Sequence, residues 1–231
     1  MNKVSTLIFG VLFLLSYQLR AQKEVIEYQT GFDAKTIHFG YYLGLNKKGF
    51  KINYTQPNTF VEVHSSVGFN IGIIGGWKIN DFVTLRLEPG LSSNTKELAF
   101  TNIKGGERDS IRKLGGTYLR VPLLVKLNTK RLGNMRPYVV GGASYDYNFS
   151  SNENHPDDNF SGEFRMKTHN FSYEVGLGVD LYLYWFIFSP SIRGVFAINN
   201  ELKRDHTPNS PWTEPIDYFG TRGVFLNLAF H

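Results

Sequence analysis

The chain has 231 residues, of which 42% are hydrophobic, 15% aromatic and 19% charged, with a formal net charge of +5 and no cysteine. The lack of cysteine excludes a disulfide framework, a thiolate zinc site and a cysteine nucleophile. A charged share below the usual ~25% points away from an ordinary soluble domain, and bases interleaved with acids leave no nucleic-acid footprint.

Met1 to Ala21 reads as a secretory signal peptide. Lys3 supplies its positive end, Leu7 to Leu15 its short apolar run, and Ala21 a small residue before cleavage at Gln22. The run is shorter than the ~20 residues of a helical membrane span. Losing Lys3 and Arg20 with the leader lowers the formal charge from +5 by two, a mild basic bias. Gln22 to Ala34 is polar and without period, a short periplasmic lead-in. Residues 35–231 then read as one β domain.

Side chains on a strand alternate between faces, so apolar residues at every second position mark a strand with one apolar wall. From Lys35 the series Ile37, Phe39, Tyr41, Leu43 and Leu45 alternates with His38, Gly40, Tyr42, Gly44 and Asn46. After Lys47-Lys48-Gly49 it resumes with Phe50, Ile52 and Tyr54. Thr55 to Ser66 reads as a loop. Val67 to Ile79 alternates again, Asn80-Asp81 makes a tight turn, and Phe82 to about Phe100 returns with Val83, Leu85, Leu87 and Leu91 opposite Thr84, Arg86, Glu88 and Gly90. Thr101 to Leu114 reads as a charged loop. Tyr118 to Asn128 and Pro137 to Phe149 form a further pair around the basic turn Lys130 to Arg136. Ser150 to about Lys167 is a polar loop. Phe171 to Leu183 and Phe186 to Ile198 make the clearest hairpin, joined at Tyr184-Trp185. Asn199 to Asp217 is a polar, proline-bearing loop, and Tyr218 to His231 closes the chain.

About eight β segments result, several of them close to the ~9–11 residues a tilted strand needs to cross a bilayer. Long and short connections alternate along the whole chain, as in outer-membrane barrels with short periplasmic turns and long outer loops. The fold class expected is therefore all-β, an antiparallel up-and-down transmembrane β-barrel of about eight strands, with outer-membrane lipid as its solvent and both termini periplasmic. A soluble barrel with an apolar interior has the same alternation. The membrane arrangement is favoured by three things: a polar face dense in charge of both signs, its many glycines, and aromatics near strand ends on the apolar face.

The inward charged set is Arg86, Glu88, Arg120, Lys126, Glu174, Asp180 and Arg193, with Asp146 on the same polar face. It can line a selective channel or fill the barrel with ion pairs. About eight strands leave room for side chains and not for an aqueous pore, which favours filling. Lys130, Arg131 and Arg136 flank a short turn and suit a periplasmic partner or lipid phosphates. Glu153, His155, Asp157 and Asp158 share a loop, but their spacing matches no calcium motif and a solvated loop is the simpler reading. No His-Glu-x-x-His, phosphate-binding glycine loop or Gly-x-Ser-x-Gly elbow occurs. His169 and Ser172, the nearest approach to a hydrolytic pair, fall on opposite faces. No enzyme, metal, cofactor or small-molecule substrate is expected.

The residues also resemble the PorT family, outer-membrane β-barrels of the Bacteroidota required for type IX protein secretion. The matching stretches are Ile37-His-Phe-Gly40, Asn80-Asp-Phe-Val-Thr-Leu-Arg-Leu-Glu-Pro-Gly-Leu91, Thr117-Tyr-Leu-Arg-Val-Pro-Leu-Leu-Val-Lys126, Lys130-Arg131, Arg136-Pro-Tyr-Val-Val-Gly-Gly142 and Tyr173-Glu-Val-Gly-Leu-Gly-Val-Asp180. The Glu-Pro-Gly-Leu and Pro-Leu-Leu pieces also occur in a wider group of small barrels from that phylum. The resemblance implies a role in secretion or assembly of type IX cargo, a link to gliding motility, and other secretion-machinery proteins as partners. It brings no catalytic residues.

Overall fold

The computed structural model describes residues 27–55, 60–103 and 106–231. The leader expected over Met1 to Ala21 lies outside them, as do Gln22 to Ile26. Ten strand segments follow one another: β1 (Ile37–Tyr54), β2 (Val61–Ser65), β3 (Val67–Lys78), β4 (Val83–Leu87), β5 (Gly90–Phe100), β6 (Ile111–Asn128), β7 (Met135–Asn148), β8 (His169–Tyr182), β9 (Ile187–Ala197) and β10 (Ile216–Phe230). They pair antiparallel in one sheet, and β1 pairs with both β10 and β3, so the sheet closes on itself.

The ten segments occupy eight places around the ring. β4 and β5 are one strand, because Arg86↔Leu124 and Gly90↔Arg120 continue a single register on β6. The interruption is Pro89, which has no N–H to give to the ladder. The pairing persists through it: Glu88 N–H donates to the Pro122 carbonyl at 3.1 Å and Ile73 N–H to the Pro89 carbonyl at 3.0 Å. β2 and β3 are likewise one strand along β5, slipped by one residue at Ser66. A one-residue slip of this kind is a β-bulge and bends the strand. The expectation of an antiparallel barrel of about eight strands is met.

The two faces are inverted relative to a soluble protein. Phe39 is 76% exposed on the outside, whereas Arg86 and Glu88 are each 1% exposed on the inside. An apolar band around a polar interior is what a lipid solvent selects. On β1 the band runs from Ile37 to Leu45, all odd-numbered positions.

The strands are longer than the band. β1 and β6 each have 18 residues, or ~60 Å at ~3.3 Å per residue. Their excess rises past the band at the end that carries the long connections. There the loop read as polar over Ser150 to Lys167 sends Phe164 and Met166 inward, and the loop over Asn199 to Asp217 sends Leu202 and Trp212. They pack with Leu98, Phe100, Ile216 and Phe219 into an apolar core. Isolated apolar residues in a polar loop have no period, so the pattern that revealed the strands passed over them. The same holds for β2, which takes part of the expected loop 55–66, and for the start of β6, which takes part of 101–114.

Candidate functional site

The alternation that turns leucines and valines to the outside turns every charged residue of the expected inward set to the inside, and the closed ring makes them meet. Arg86 Nη2 lies 2.7 Å from Glu88 Oε1. Arg193 donates to both oxygens of Glu88, at 2.6 and 3.1 Å. Arg193 lies 3.8 Å from Glu174, and Glu174 accepts from Arg120 at 2.6 Å. Arg120 Nε donates to Asp146 at 2.8 Å. One chain of alternating charge therefore runs Arg86, Glu88, Arg193, Glu174, Arg120, Asp146. Glu88 joins β4 to β5 and Arg193 is on β9, on opposite sides of the ring, so the chain crosses the lumen.

Lys126 and Asp180 form a second pair at 2.6 Å. Asp180 also accepts from Ser189 at 2.6 Å, and the Lys126 ammonium sits 4.0 Å from the centre of the Tyr138 ring. Charge-assisted bonds of this length are the strong kind, and each of these buried charges has a neighbour of opposite sign, although the Arg86 nitrogens make no hydrogen bond among the described residues. Gly176 is opposite Arg193 in the β8–β9 ladder. A Cβ at Gly176 would lie 2.7 Å from Arg193 Cγ, so the bare glycine lets the arginine lean toward Glu88.

All seven expected inward residues converge. Two further cations, Lys48 and Lys96, are 4% and 2% exposed and belong to the same interior. Their Nζ atoms lie over aromatic faces, Lys48 at 4.1 Å from Tyr118 and Lys96 at 4.2 Å from Phe50. Lys48 was available from the sequence, since it continues the inward series Tyr42, Gly44, Asn46. The Lys47-Lys48-Gly49 interruption masked it. The spaces beside the network are small: about 10 Å³ next to Lys48, Arg120 and Asp146, and about 30 Å³ next to Asp33, His38 and Lys126. A single water needs about 10–15 Å³ on this measure.

The end with the short turns is closed by the chain itself. A short helix, Thr30–Ala34, lies across it. Asp33 takes Arg131 at 3.0 Å and Arg136 at 3.0 Å, accepts from the Tyr182 hydroxyl at 3.0 Å, and through its carbonyl accepts from Lys78 Nζ at 2.6 Å. Arg131 also donates to the Tyr28 carbonyl. Two of the three turn bases expected to suit a partner or lipid phosphates, Arg131 and Arg136, thus pair with the lead-in segment. Lys130 remains exposed. Residues 27–34 of the lead-in pack against the barrel, because an Asp beside several cations is worth more than its polar, aperiodic sequence suggests.

His169 and Ser172 separate as alternation requires. His169 Nδ1 is 2.7 Å from the Tyr145 hydroxyl on the outer wall, while Ser172 donates inward to Asp146 at 2.9 Å. In the acidic loop, Glu153 accepts from Thr168 N–H at 2.9 Å, a bond that holds its carboxyl below the usual range. Asp158 caps a short turn by accepting from Phe160 N–H at 3.0 Å. Glu153 and Asp158 therefore have structural roles in the loop, while Asp157 is exposed beside His155.

The sequence matches the family of the outer membrane protein beta-barrel domain over residues 20–203. No curated protein matches it. Among solved structures, the chain is similar to the outer membrane protein OprG of Pseudomonas aeruginosa, with 14% identity, TM-score 0.46, and coverage of 84% of this chain and 94% of that one. It is similar to Neisserial surface protein A at 10% identity and TM-score 0.44, covering 84% and 98%. It is similar to Ail, the attachment invasion locus protein of Yersinia pestis, at 12% identity and TM-score 0.36, covering 85% and 98%. All three scores lie below 0.5.

Proposed function

Because the chain belongs to the outer membrane protein beta-barrel domain family, and so is a small barrel of the outer membrane, we propose that it works there as a closed, non-enzymatic component of a type IX protein-secretion machinery. The observation that carries the closed state is the ion-pair chain from Arg86 to Asp146, which crosses the lumen through Glu88 and Arg193. An interior that packed has no path for a hydrated solute. The chemistry is then structural: the barrel is a rigid wall whose rims and loops meet other proteins.

The secretion role is supported by the resemblance to the PorT family. Its more specific pieces supply members of the lumen ion pairs and of the Asp33 closure. Glu174 and Asp180 come from the Glu-Val-Gly-x-Gly-x-Asp strand, and Arg136 from the Arg-Pro-Tyr turn. With the short turns and both termini on the periplasmic side, the Asp33 closure faces the periplasm and the apolar-cored loop cap faces outward.

Deleting the gene and measuring type IX cargo at the cell surface tests the role. Loss of surface cargo, restored by the wild-type gene, is expected, and normal secretion overturns it. Lipid A mass spectra of the same strain stay unchanged if no lipid is modified. Purified barrel in planar bilayers gives no steady conductance steps. Steps of porin size would return the general porin-like reading.

A further inference from the structure

Three cations stand on the outer wall just past the apolar band, at the long-loop end. Lys47 and Lys51 project from β1 and Arg222 from β10, and all three are exposed. The register places Gly49 opposite Arg222 and Val224 opposite Lys47. Diagonal neighbours on a strand pair lie about 7–8 Å apart, so Arg222 is flanked by both lysines, and Gly49 puts no side chain between them. None of the three has an ion pair or a side-chain hydrogen bond among the described residues. The interior bases, by contrast, meet a carboxylate or an aromatic ring.

The level of the patch identifies its neighbour. Directly below it Leu43, Leu45, Val224 and Leu226 are exposed to lipid. Lys47 is two residues beyond Leu45. With a rise of ~3.3 Å per residue and a strand tilt of ~40°, that is about 5 Å along the membrane normal. The polar headgroup layer is about 5–8 Å deep on each side. Lys47 and Arg222 therefore lie within it, and Lys51 stands above with a flexible stem long enough to reach back. Across the β9–β10 ladder Arg222 faces Phe196, whose ring stacks on Tyr173 at 5.1 Å. Aromatic rings beside a basic cluster are the signature of a membrane interface.

We propose that Lys47, Lys51 and Arg222 form a binding site for the phosphate of an anionic membrane lipid. The planar guanidinium of Arg222 grips two phosphate oxygens, the lysines add charge from either side, and the acyl chains run down the leucine and valine wall below. The site is independent of the secretion role.

The full chain, purified in detergent, is mixed with phosphatidylglycerol or phosphatidylcholine and examined by native mass spectrometry. Selective retention of phosphatidylglycerol is expected, reduced about tenfold or more in the variant K47Q/K51Q/R222Q. The variant R108Q/K113Q/K203Q removes the same charge away from the band and retains the lipid as the wild type does. Equal losses in the two variants, or equal retention of the two lipids, overturn the proposal. Displacement of the lipid by excess inorganic phosphate also overturns it in favour of a free-phosphate site. Unheated-gel mobility of the triple variants checks that both are folded barrels.

Discussion

The barrel is filled by opposite chemistries at two levels. Inside the apolar band the filling is charge on charge, from Arg86 to Asp146. Above the band it is an ordinary apolar core around Phe219 and Trp212. The change occurs within single strands and without a change of face. β5 turns Ser92, Asn94 and Lys96 inward and then Leu98 and Phe100, all of them buried. The outer solvent explains it. Where the wall faces hydrocarbon, apolar side chains gain nothing by turning inward, since lipid is as apolar as a leucine core, and the inside collects what lipid rejects. Where the wall faces water, the hydrophobic effect resumes and the inside becomes apolar.

Breaking the charged level has the largest effect. Glu88 serves two arginines at once, so Glu88→Ala strips Arg86 of its carboxylate and leaves Arg193 only the more distant Glu174, at a cost of about 3–5 kcal/mol. Unfolding of the whole barrel in detergent, followed by gel mobility, falls to lower temperature. Glu174→Ala costs less, because Arg120 keeps Asp146 and Arg193 keeps Glu88. Equal losses in the two variants contradict the alternating chain.

Breaking the apolar level has a comparable local cost and a different reach. Trp212→Ala removes a large buried side chain, about 3 kcal/mol or more by analogy with other cores. The Asp109 carbonyl also loses its donor, the indole N–H at 2.9 Å. The loop 198–215 becomes sensitive to protease while the barrel keeps its unfolding temperature. A fall in barrel stability as large as that of Glu88→Ala denies that the two levels are separable. Asp33→Ala, at the opposite end, frees Arg131 and Arg136 from a partly exposed pairing and costs about 1 kcal/mol. It is read as earlier proteolysis of the lead-in segment alone.

The contrast of levels also separates what could be read in the sequence from what could not. The strands of the band were legible because one wall is leucine, valine and aromatic at every second position, as in Val175, Leu177 and Val179. The charged interior followed from the same parity, and all seven expected residues meet there. Above the band the apolar phase moves from odd to even positions, from Leu43 and Leu45 to Phe50 and Ile52. In sequence that shift reads as an interruption at Lys47-Lys48-Gly49 within one long β segment, and β1 runs straight through it. The partners of the upper core arrive singly from loops, and Asp33 reaches Arg131 across 98 positions of chain. Neither has any period to detect.

The smallest effect is a pH dependence at the boundary between the levels. Glu201 comes from a loop, is 3% exposed, and receives the Thr221 N–H at 3.1 Å and the Thr221 hydroxyl at 2.8 Å. Burial pushes its carboxyl above the ordinary value of 4.5, against the opposing pull of Lys96 and of the Thr221 bonds. The folded chain thus holds a proton at a pH where the unfolded chain has released it. Stability of the loop end therefore falls as pH rises from about 4.5 through the raised value, since the folded state binds more protons than the unfolded one in that window. Glu201→Gln keeps the side chain neutral at every pH and flattens the slope, measured as protease resistance of the cap across the acid range. A slope that persists in the variant assigns the titration to another group. A slope of opposite sign in the wild type shows that Glu201 is held as a carboxylate, and so belongs with the charged level rather than the apolar one.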